Sequence, residues 1–349
     1  MARIVIVSAR FGAGHDRAAY ALADRLSAHD VEVLDFLDLL PPVLGERLCR
    51  LYRRQLQTAP RSWDWTLRAL SGARTAGLTG RAATRLACRR LRPALGDHTD
   101  LAVSTYPLAT HALAHLREQG ELTAPLAVYL TDPAVHRICV AGAADLHIAP
   151  NHLAQGQARA LGARAAAVAA PLVAPAFRPA APSERLLARL AFGLPAEGRL
   201  ALVTAGSWGV GQVRKTAHDV ARSGVATPVV ACGSNTALRD RLRADGLEHV
   251  FGWVDDMPHL MRAADVVVQN AGGLTSSEAL AAGLPVLTYR CLPGHGRANA
   301  AVLDRLGLAR WVRTPGELAG ALTSDGRPAD TASPAEAPVP LLEKLLARV

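Results

Sequence analysis

Arg3-Ile-Val-Ile-Val-Ser8, followed by Ala-Arg-Phe11-Gly-Ala-Gly-His15, is an apolar run that breaks into a glycine-rich turn. An unbroken run of branched aliphatic residues reads as a strand buried on both faces. Asp16–Ala28 then reads as a helix, with Ala19, Leu22, Ala23 and Leu26 on one face, and Val31–Asp35 as a second strand. Strand, helix and strand within about 35 residues open a doubly wound α/β sheet.

The pattern continues and then restarts. Strands are expected at Asp100–Ser104, Leu126–Leu130, Leu146–Ala149 and Ala166–Ala169, with Ala109–Gln119 as a crossover helix. Pro171, Pro175, Pro179 and Pro182 punctuate the next stretch, and proline at this density resists both helix and sheet. A linker is expected at 173–182, closing a first domain of residues 1–172. Leu200–Thr204 then runs into Gly206-Ser-Trp-Gly209-Val-Gly211 and a helix to about Arg222. Further strands are expected at Pro228–Ala231, His249–Phe251, Val266–Gln269, Pro285–Thr288 and Ala309–Val312. These make a second α/β domain over 183–323. Within 324–349, Ser324–Pro340 reads as a flexible passage and Leu341–Val349 as a short terminal helix.

Half of the residues are hydrophobic but only 4% are aromatic, so the cores have to be assembled from Ala, Leu and Val. That composition suits a globular α/β chain and excludes a disordered one. Cys49, Cys88, Cys139, Cys232 and Cys291 are scattered and form no C-x-x-C pair, which predicts reduced thiols and no zinc site. The sequence carries no apolar run of signal-peptide or membrane-span length, so a cytoplasmic location is expected. The net charge of +9 is concentrated: from Arg47 to Arg92 there are twelve arginines and one acid, Asp64. A regional excess calls for a regional partner.

Three motifs carry candidate chemistry. Gly12-Ala-Gly14 leads into a helix whose first N–H groups can face an anion, and His15 stands just past it at the carboxyl edge of the sheet. A histidine there serves as a general base near neutral pH, or else caps the helix or walls a cleft. Asp35 lies at the distance a dinucleotide site would use, although the third glycine of that fingerprint is replaced by Arg17. Gly206–Gly211 repeats the geometry in the second half, without the lysine and hydroxyl residue of a P-loop. The third motif is Val266-Val-Val-Gln-Asn270-Ala-Gly-Gly273-Leu-Thr275-Ser-Ser-Glu278, a buried strand feeding glycines, hydroxyl residues and an acid. Thr275 and Glu278 have capping-box spacing, which competes with a ligand role for Glu278.

With these residues the second half resembles the C-terminal domain of the GT-B glycosyltransferases related to MurG and monogalactosyldiacylglycerol synthase, glycosyltransferase family 28. Its landmarks are Gly206–Gly211, Cys232-Gly-Ser-Asn235, Phe251-Gly-Trp-Val254, Met257–Asp265, Asn270–Glu278, Ala281-Ala-Gly-Leu-Pro285 and Leu292–Asn299. The first half is similar to the diacylglycerol galactosyltransferase branch through Gly12-Ala-Gly-His15, Ser104-Thr-Tyr-Pro107 and Leu130-Thr-Asp132 with His136. The resemblance implies a GT-B fold, two Rossmann-like domains facing across a cleft, and inverting transfer from a UDP-sugar to a hydroxyl acceptor. It implies that Phe251–Val254 lines the uracil pocket and that Gly272, Gly273, Leu274 and Thr275 hold the diphosphate. Glu278 would bind the ribose, with Asn235 and the loop bearing Gly206, Ser207 and Gly209 nearby. His15, next to Gly14, would be the catalytic base, with Asp132 as its competitor. Relatives carry Gly-Gln-Glu-x-x-Asn where this chain reads Gly294-His-Gly-Arg-Ala-Asn299. His295 and Asn299 thus belong to a donor-sugar loop that departs from the family, and a galactose preference does not carry over.

The resemblance predicts no tightly bound cofactor and no metal requirement, because no Asp-x-Asp pair or carboxylate cluster stands in the motifs. It gives the basic segment 47–92, with Trp63 and Trp65 among its arginines, a role at an anionic membrane surface beside a lipid acceptor. The protein would then sit peripherally on the inner face of the cell membrane. An arginine-rich surface without a partner and an anionic soluble acceptor fit the same segment. It accompanies no recognised nucleic-acid module, so no nucleic-acid partner is expected. A nucleotide-sugar epimerase or hydrolase on the same fold, and a noncatalytic UDP-sugar-binding protein, also remain open from sequence.

Overall fold

The computed structural model describes residues 1–11, 14–58, 76–96, 98–270, 272–324 and 337–347. Gly12, the apolar patch that the sequence predicts at Trp63, Trp65, Leu67 and Leu70, and residues 325–336 of the C-terminal passage lie outside the described residues. The chain divides into one unit built on residues 1–55, 76–172 and 337–347 and a second built on 173–324.

In chain order the first unit comprises β1 (Arg3–Ser8), α1 (Gly14–Arg25), β2 (Asp30–Asp35), α2 (Pro42–Thr58), α3 (Ala76–Leu95), β3 (Leu101–Ser104), α4 (Pro107–Glu118), β4 (Leu126–Tyr129), β5 (Leu146–Ala149), α5 (His152–Ala160) and β6 (Ala166–Val168). Its six strands lie in the order β2-β1-β3-β4-β5-β6, all parallel. Successive residues of β1 feed opposite cores. Val5 and Val7 pack with Leu91 of α3 and Leu113 of α4, while Ile4 and Ile6 pack with Ala19 and Leu22 of α1. A strand buried on both faces is apolar at nearly every position, which is why the runs identify themselves.

The second unit comprises α6 (Pro182–Ala191), β7 (Leu200–Thr204), α7 (Val213–Ser223), β8 (Thr227–Ala231), α8 (Thr236–Ala244), β9 (Val250–Phe251), α9 (Met257–Ala263), β10 (Val266–Gln269), α10 (Gly273–Ala281), β11 (Val286–Tyr289), α11 (His295–Arg305), β12 (Arg310–Val312) and α12 (Pro315–Thr323). Its strand order is β12-β11-β10-β7-β8-β9, again parallel throughout. Leu200 and Leu202 of β7 point to a core with α9 and α10, and Ala201 and Val203 to a core with α7 and α12.

Three expectations are corrected. Helix α1 begins at Gly14 rather than Asp16, so Asp16 lies in its first turn, where a carboxylate suits the helix dipole. The stretch expected to stay flexible as far as Pro340 already enters α13 (Pro338–Leu346), because proline is tolerated in the first helical turn. Leu342 and Leu345 of α13 are buried with Ile4, Ile6 and Leu22, so the chain returns to the sheet it started from. The helical spacing of Leu48, Leu51, Tyr52 and Leu56 reads as one apolar face, yet Leu51 points away from Leu48 and Tyr52 and is 65% exposed.

His147 on β5 is fully buried; its Nε2 accepts from the Ala141 N–H at 3.3 Å and its Nδ1 has no partner. Burial pushes its pKa down to about 4. The unfolded histidine, near 6.5, binds a proton over the interval in which the folded one stays neutral. Stability is therefore complete above about pH 6.5 and falls by up to ~3 kcal/mol as the pH drops to about 4. Urea unfolding between pH 7 and 4.5 should register this loss, and His147→Gln, which keeps an acceptor but does not titrate, should flatten the slope.

Candidate functional site

Where the strand order of a parallel sheet reverses, the loops beyond the strands diverge and leave a crevice at their carboxyl ends. In the first sheet the reversal falls between β1 and β3, and in the second between β7 and β10. The candidate residues collect at these two places.

In the first unit, His15 belongs to the first turn of α1, directly beyond β1. Its Nδ1 lies 2.7 Å from the Thr105 carbonyl oxygen, beyond β3, and 3.2 Å from Thr131 Oγ1, beyond β4. A carbonyl only accepts, so Nδ1 carries the proton, and the lone pair of the neutral ring falls on Nε2. The His15 ring meets Tyr106 edge-on at 5.4 Å; Tyr106 stacks on Phe11 at 5.4 Å, and Phe11 meets Tyr52 of α2 at 5.4 Å. Asp132 follows Thr131, and its charge, added to burial, raises the pKa of Tyr52. The structure thus gathers His15, Thr105, Thr131 and Asp132 beside a wall of three aromatic rings. Tyr52 stood in the sequence only as part of a helical apolar spacing, and Thr105, Tyr106 and Thr131 only as members of Ser104-Thr-Tyr-Pro107 and Leu130-Thr-Asp132; none was singled out as a site residue.

Asp35, the candidate for a dinucleotide ribose, is engaged otherwise. It accepts from Arg10 Nη1 at 2.8 Å and from the Leu37 N–H at 2.7 Å, while Arg10 also holds Asp38 at 2.7 Å. Asp16 accepts from Ser8 Oγ at 2.7 Å, and burial raises its pKa.

The crevice of the second unit is assembled from three loops. Asn270, beyond β10, donates from Nδ2 to the Val210 carbonyl at 2.8 Å, and its own carbonyl accepts from the Leu292 N–H at 2.8 Å. The loops after β7, β10 and β11 therefore meet at one buried asparagine. The approach is close: at Gly211, with φ +92°, a Cβ would lie 2.6 Å from Asn270 Nδ2 and 2.9 Å from Leu292. Asn270 Oδ1 is buried without a partner, a state that demands a reason. The motif around Asn270 drew attention to the residue, but only the fold reveals its bridging role.

Gly272 caps α10 with φ +86°, and a Cβ there would lie 2.6 Å from that of Asn299, which is itself buried on α11. Gly272 N donates to Gln269 Oε1 at 2.5 Å, and Gln269 Nε2 to Thr288 Oγ1 at 2.8 Å. Gly273, Leu274 and Thr275 form the first turn of α10, where backbone N–H groups have no partner within the helix. The capping-box reading of Thr275 and Glu278 fails, because the cap is Gly272 and Glu278 lies in the second turn. Glu278 is only 4% exposed, so its carboxylate is buried rather than placed at the helix start.

Asn235 divides its amide between two structural tasks. Nδ2 donates to the Gly209 carbonyl at 2.9 Å and Oδ1 accepts from Leu238 N at 3.0 Å, capping α8. The Ser207 carbonyl accepts from Ser234 N at 2.8 Å, so the Gly206–Gly211 loop is fastened along its length. Phe251 and Val254 pack their side chains against the core of Leu260 and Met261, and the Phe251 carbonyl accepts from the Cys232 N–H at 2.9 Å. His295 is the half-buried first residue of α11, the helix that also carries Asn299. No helix among the described residues is long and apolar enough to cross a membrane, and no three His, Cys, Asp or Glu side chains among them form a metal-ligating group.

No family model matches the chain. A processive diacylglycerol beta-glucosyltransferase from Bacillus subtilis (strain 168) is 24% identical over 337 residues, which cover 92% of this chain and 86% of the relative. One from Bacillus mycoides (strain KBAB4) is 25% identical, covering 90% and 83%. Among solved structures, MurG of Acinetobacter baumannii superposes over the whole of both chains with a TM-score of 0.59 at 17% identity. HepE of Anabaena in complex with UDP-glucose does so over 100% of this chain and 99% of its own, with a TM-score of 0.59 at 16% identity. The chain therefore has the GT-B glycosyltransferase fold, and it is similar over nine-tenths of its length to the processive diacylglycerol beta-glucosyltransferases.

Proposed function

We propose that this chain is an inverting glycosyltransferase that moves a sugar from a UDP-sugar to the hydroxyl of a diacylglycerol-type lipid, with UDP-glucose as the donor its relatives' names favour. The observation that carries the proposal is the crevice joined by Asn270, with Gly272 and the open turn of α10 beside buried Glu278 and Asn299. In it the N–H groups of Gly273, Leu274 and Thr275 meet the diphosphate, whose negative charge grows as the glycosidic bond breaks. Glu278 accepts from the ribose hydroxyls, and the backbone of Phe251–Val254 meets uracil. Gly206, Ser207 and Gly209 border the donor, and His295 meets its sugar.

His15 is the general base: its Nδ1 is engaged by the Thr105 carbonyl, so Nε2 takes the acceptor proton as oxygen attacks the anomeric carbon. Asp132 stabilises the imidazolium that forms. Dipoles and N–H groups neutralise the leaving diphosphate in this scheme, so turnover proceeds without a metal ion.

Helix α2 supplies the lipid side. Its inner face brings Tyr52 to the aromatic wall, and Val43, Leu44, Arg47, Arg50, Leu51 and Arg54 are exposed at helical spacing on the outer one. Apolar side chains between guanidiniums suit a helix lying in an anionic interface. That arrangement favours a peripheral membrane enzyme over one with a soluble acceptor.

Titration with UDP and transfer from UDP-glucose to diacylglycerol in vesicles test the enzyme assignment. His15→Ala should keep UDP affinity within about twofold while lowering kcat by roughly 100-fold or more. Equal losses of binding and rate would remove His15 from the chemistry, and absence of UDP binding would remove the donor site. Flotation with phosphatidylglycerol vesicles tests α2. Replacing Arg47, Arg50 and Arg54 by Gln should weaken binding by about two orders of magnitude, at ~1 kcal/mol each, and unchanged flotation would refute the interfacial role.

A further inference from the structure

Arg290 is the only non-glycine residue among the described ones with a left-handed backbone, at φ +49°. It is the first residue beyond β11, and four residues later Gly294 caps α11 ahead of His295. An arginine adopts this conformation only where its surroundings impose it, and such positions collect at functional sites.

What imposes it is visible. Asp219 of α7, 5% exposed, accepts from Arg290 Nε at 2.8 Å and from Nη2 at 2.5 Å, and from the Tyr289 hydroxyl at 2.8 Å. Arg222, one turn further along α7, pairs with the same carboxylate. The third guanidinium nitrogen, Nη1, donates to Gln212 Oε1 at 3.1 Å, and Gln212 is the cap of α7 immediately after Gly211. The planar fork of Arg290 thus ties the end of the glycine-rich loop to the body of α7 and to the turn that leads into α11. A lysine would keep the charge but not the three directed bonds.

We propose that Arg290 is a positioning residue for the donor sugar. Clamped between Asp219 and Gln212, it fixes the start of the turn 291–294, which the Asn270 carbonyl holds at Leu292, and so delivers His295 to the sugar of the bound nucleotide. The role rests on the second unit holding a UDP-sugar. It differs from a general stabilising role because it concerns the sugar and not the UDP moiety: the loops at Asn270 and Gly272 are fastened by other bonds. Loss of Arg290 should therefore cost sugar recognition before it costs UDP binding.

The test compares the affinities of the full chain for UDP and UDP-glucose by calorimetry, with unfolding temperatures alongside. Arg290→Ala and Arg290→Gly should each raise the ratio of the two dissociation constants, UDP-glucose over UDP, by roughly tenfold, with UDP affinity within about twofold of wild type. Arg290→Gly removes the guanidinium but tolerates the left-handed backbone, so it keeps the comparison valid if the alanine variant folds poorly. Arg290→Lys should recover part of the ratio. An unchanged ratio with a lowered unfolding temperature would overturn the proposal and leave Arg290 a structural residue. A wild-type chain that binds no UDP would instead overturn the donor site beneath it.

Discussion

Two parallel sheets, each with a reversal in strand order, impose the constraint from which the functional geometry follows. At the reversal the crossover helices depart to opposite faces, and no connection closes the space beyond the two central strands. The loops bounding that space have to satisfy one another. In the first unit this is done by the contact of His15 with the Thr105 carbonyl, in the second by the Asn270 amide on the Val210 carbonyl. Each bond spans the reversal itself, β1 to β3 and β10 to β7, so each defines the floor of a crevice as well as the position of a candidate residue.

The two crevices differ in character. The second is built from glycines, helix N-termini and buried amides, which suits a polyanionic nucleotide. The first is edged by Phe11, Tyr52 and Tyr106, with a histidine whose Nδ1 is held by a backbone carbonyl. An apolar wall beside an imidazole suits the proposed acceptor, a hydroxyl carried on a lipid. Helix α2 connects that wall to an outer stripe of arginine and aliphatic side chains, so one helix serves the site and the surface at once.

The strands were legible because parallel strands buried on both faces read as near-continuous apolar runs: Arg3–Ser8, Leu146–Ala149, Leu200–Thr204 and Val266–Gln269 appear as read. Helix starts were less legible where glycine permits either geometry, as at Gly14 and at Gly272, whose φ of +86° moves the cap of α10 back and ends the capping-box reading of Glu278. Partners distant in sequence were not legible at all. Asp35 has the spacing of a dinucleotide site, but Arg10 holds it; Asn235 stands in a landmark motif, but only the fold shows its Nδ2 on the Gly209 carbonyl and its Oδ1 capping α8. Asn270 and Arg290 gain their meaning only when three loops converge, and no local pattern announces that.

The stereochemistry of the product tests the central claim most directly. The chain would be incubated with α-configured UDP-glucose and diacylglycerol vesicles in the presence of a chelator, and the anomeric proton of the extracted glycolipid read by NMR. Direct attack by an acceptor oxygen deprotonated at His15 predicts a β-linked glucosyl diacylglycerol, formed without added metal. An α-linked product, or release of free glucose with no glycolipid, would contradict the account.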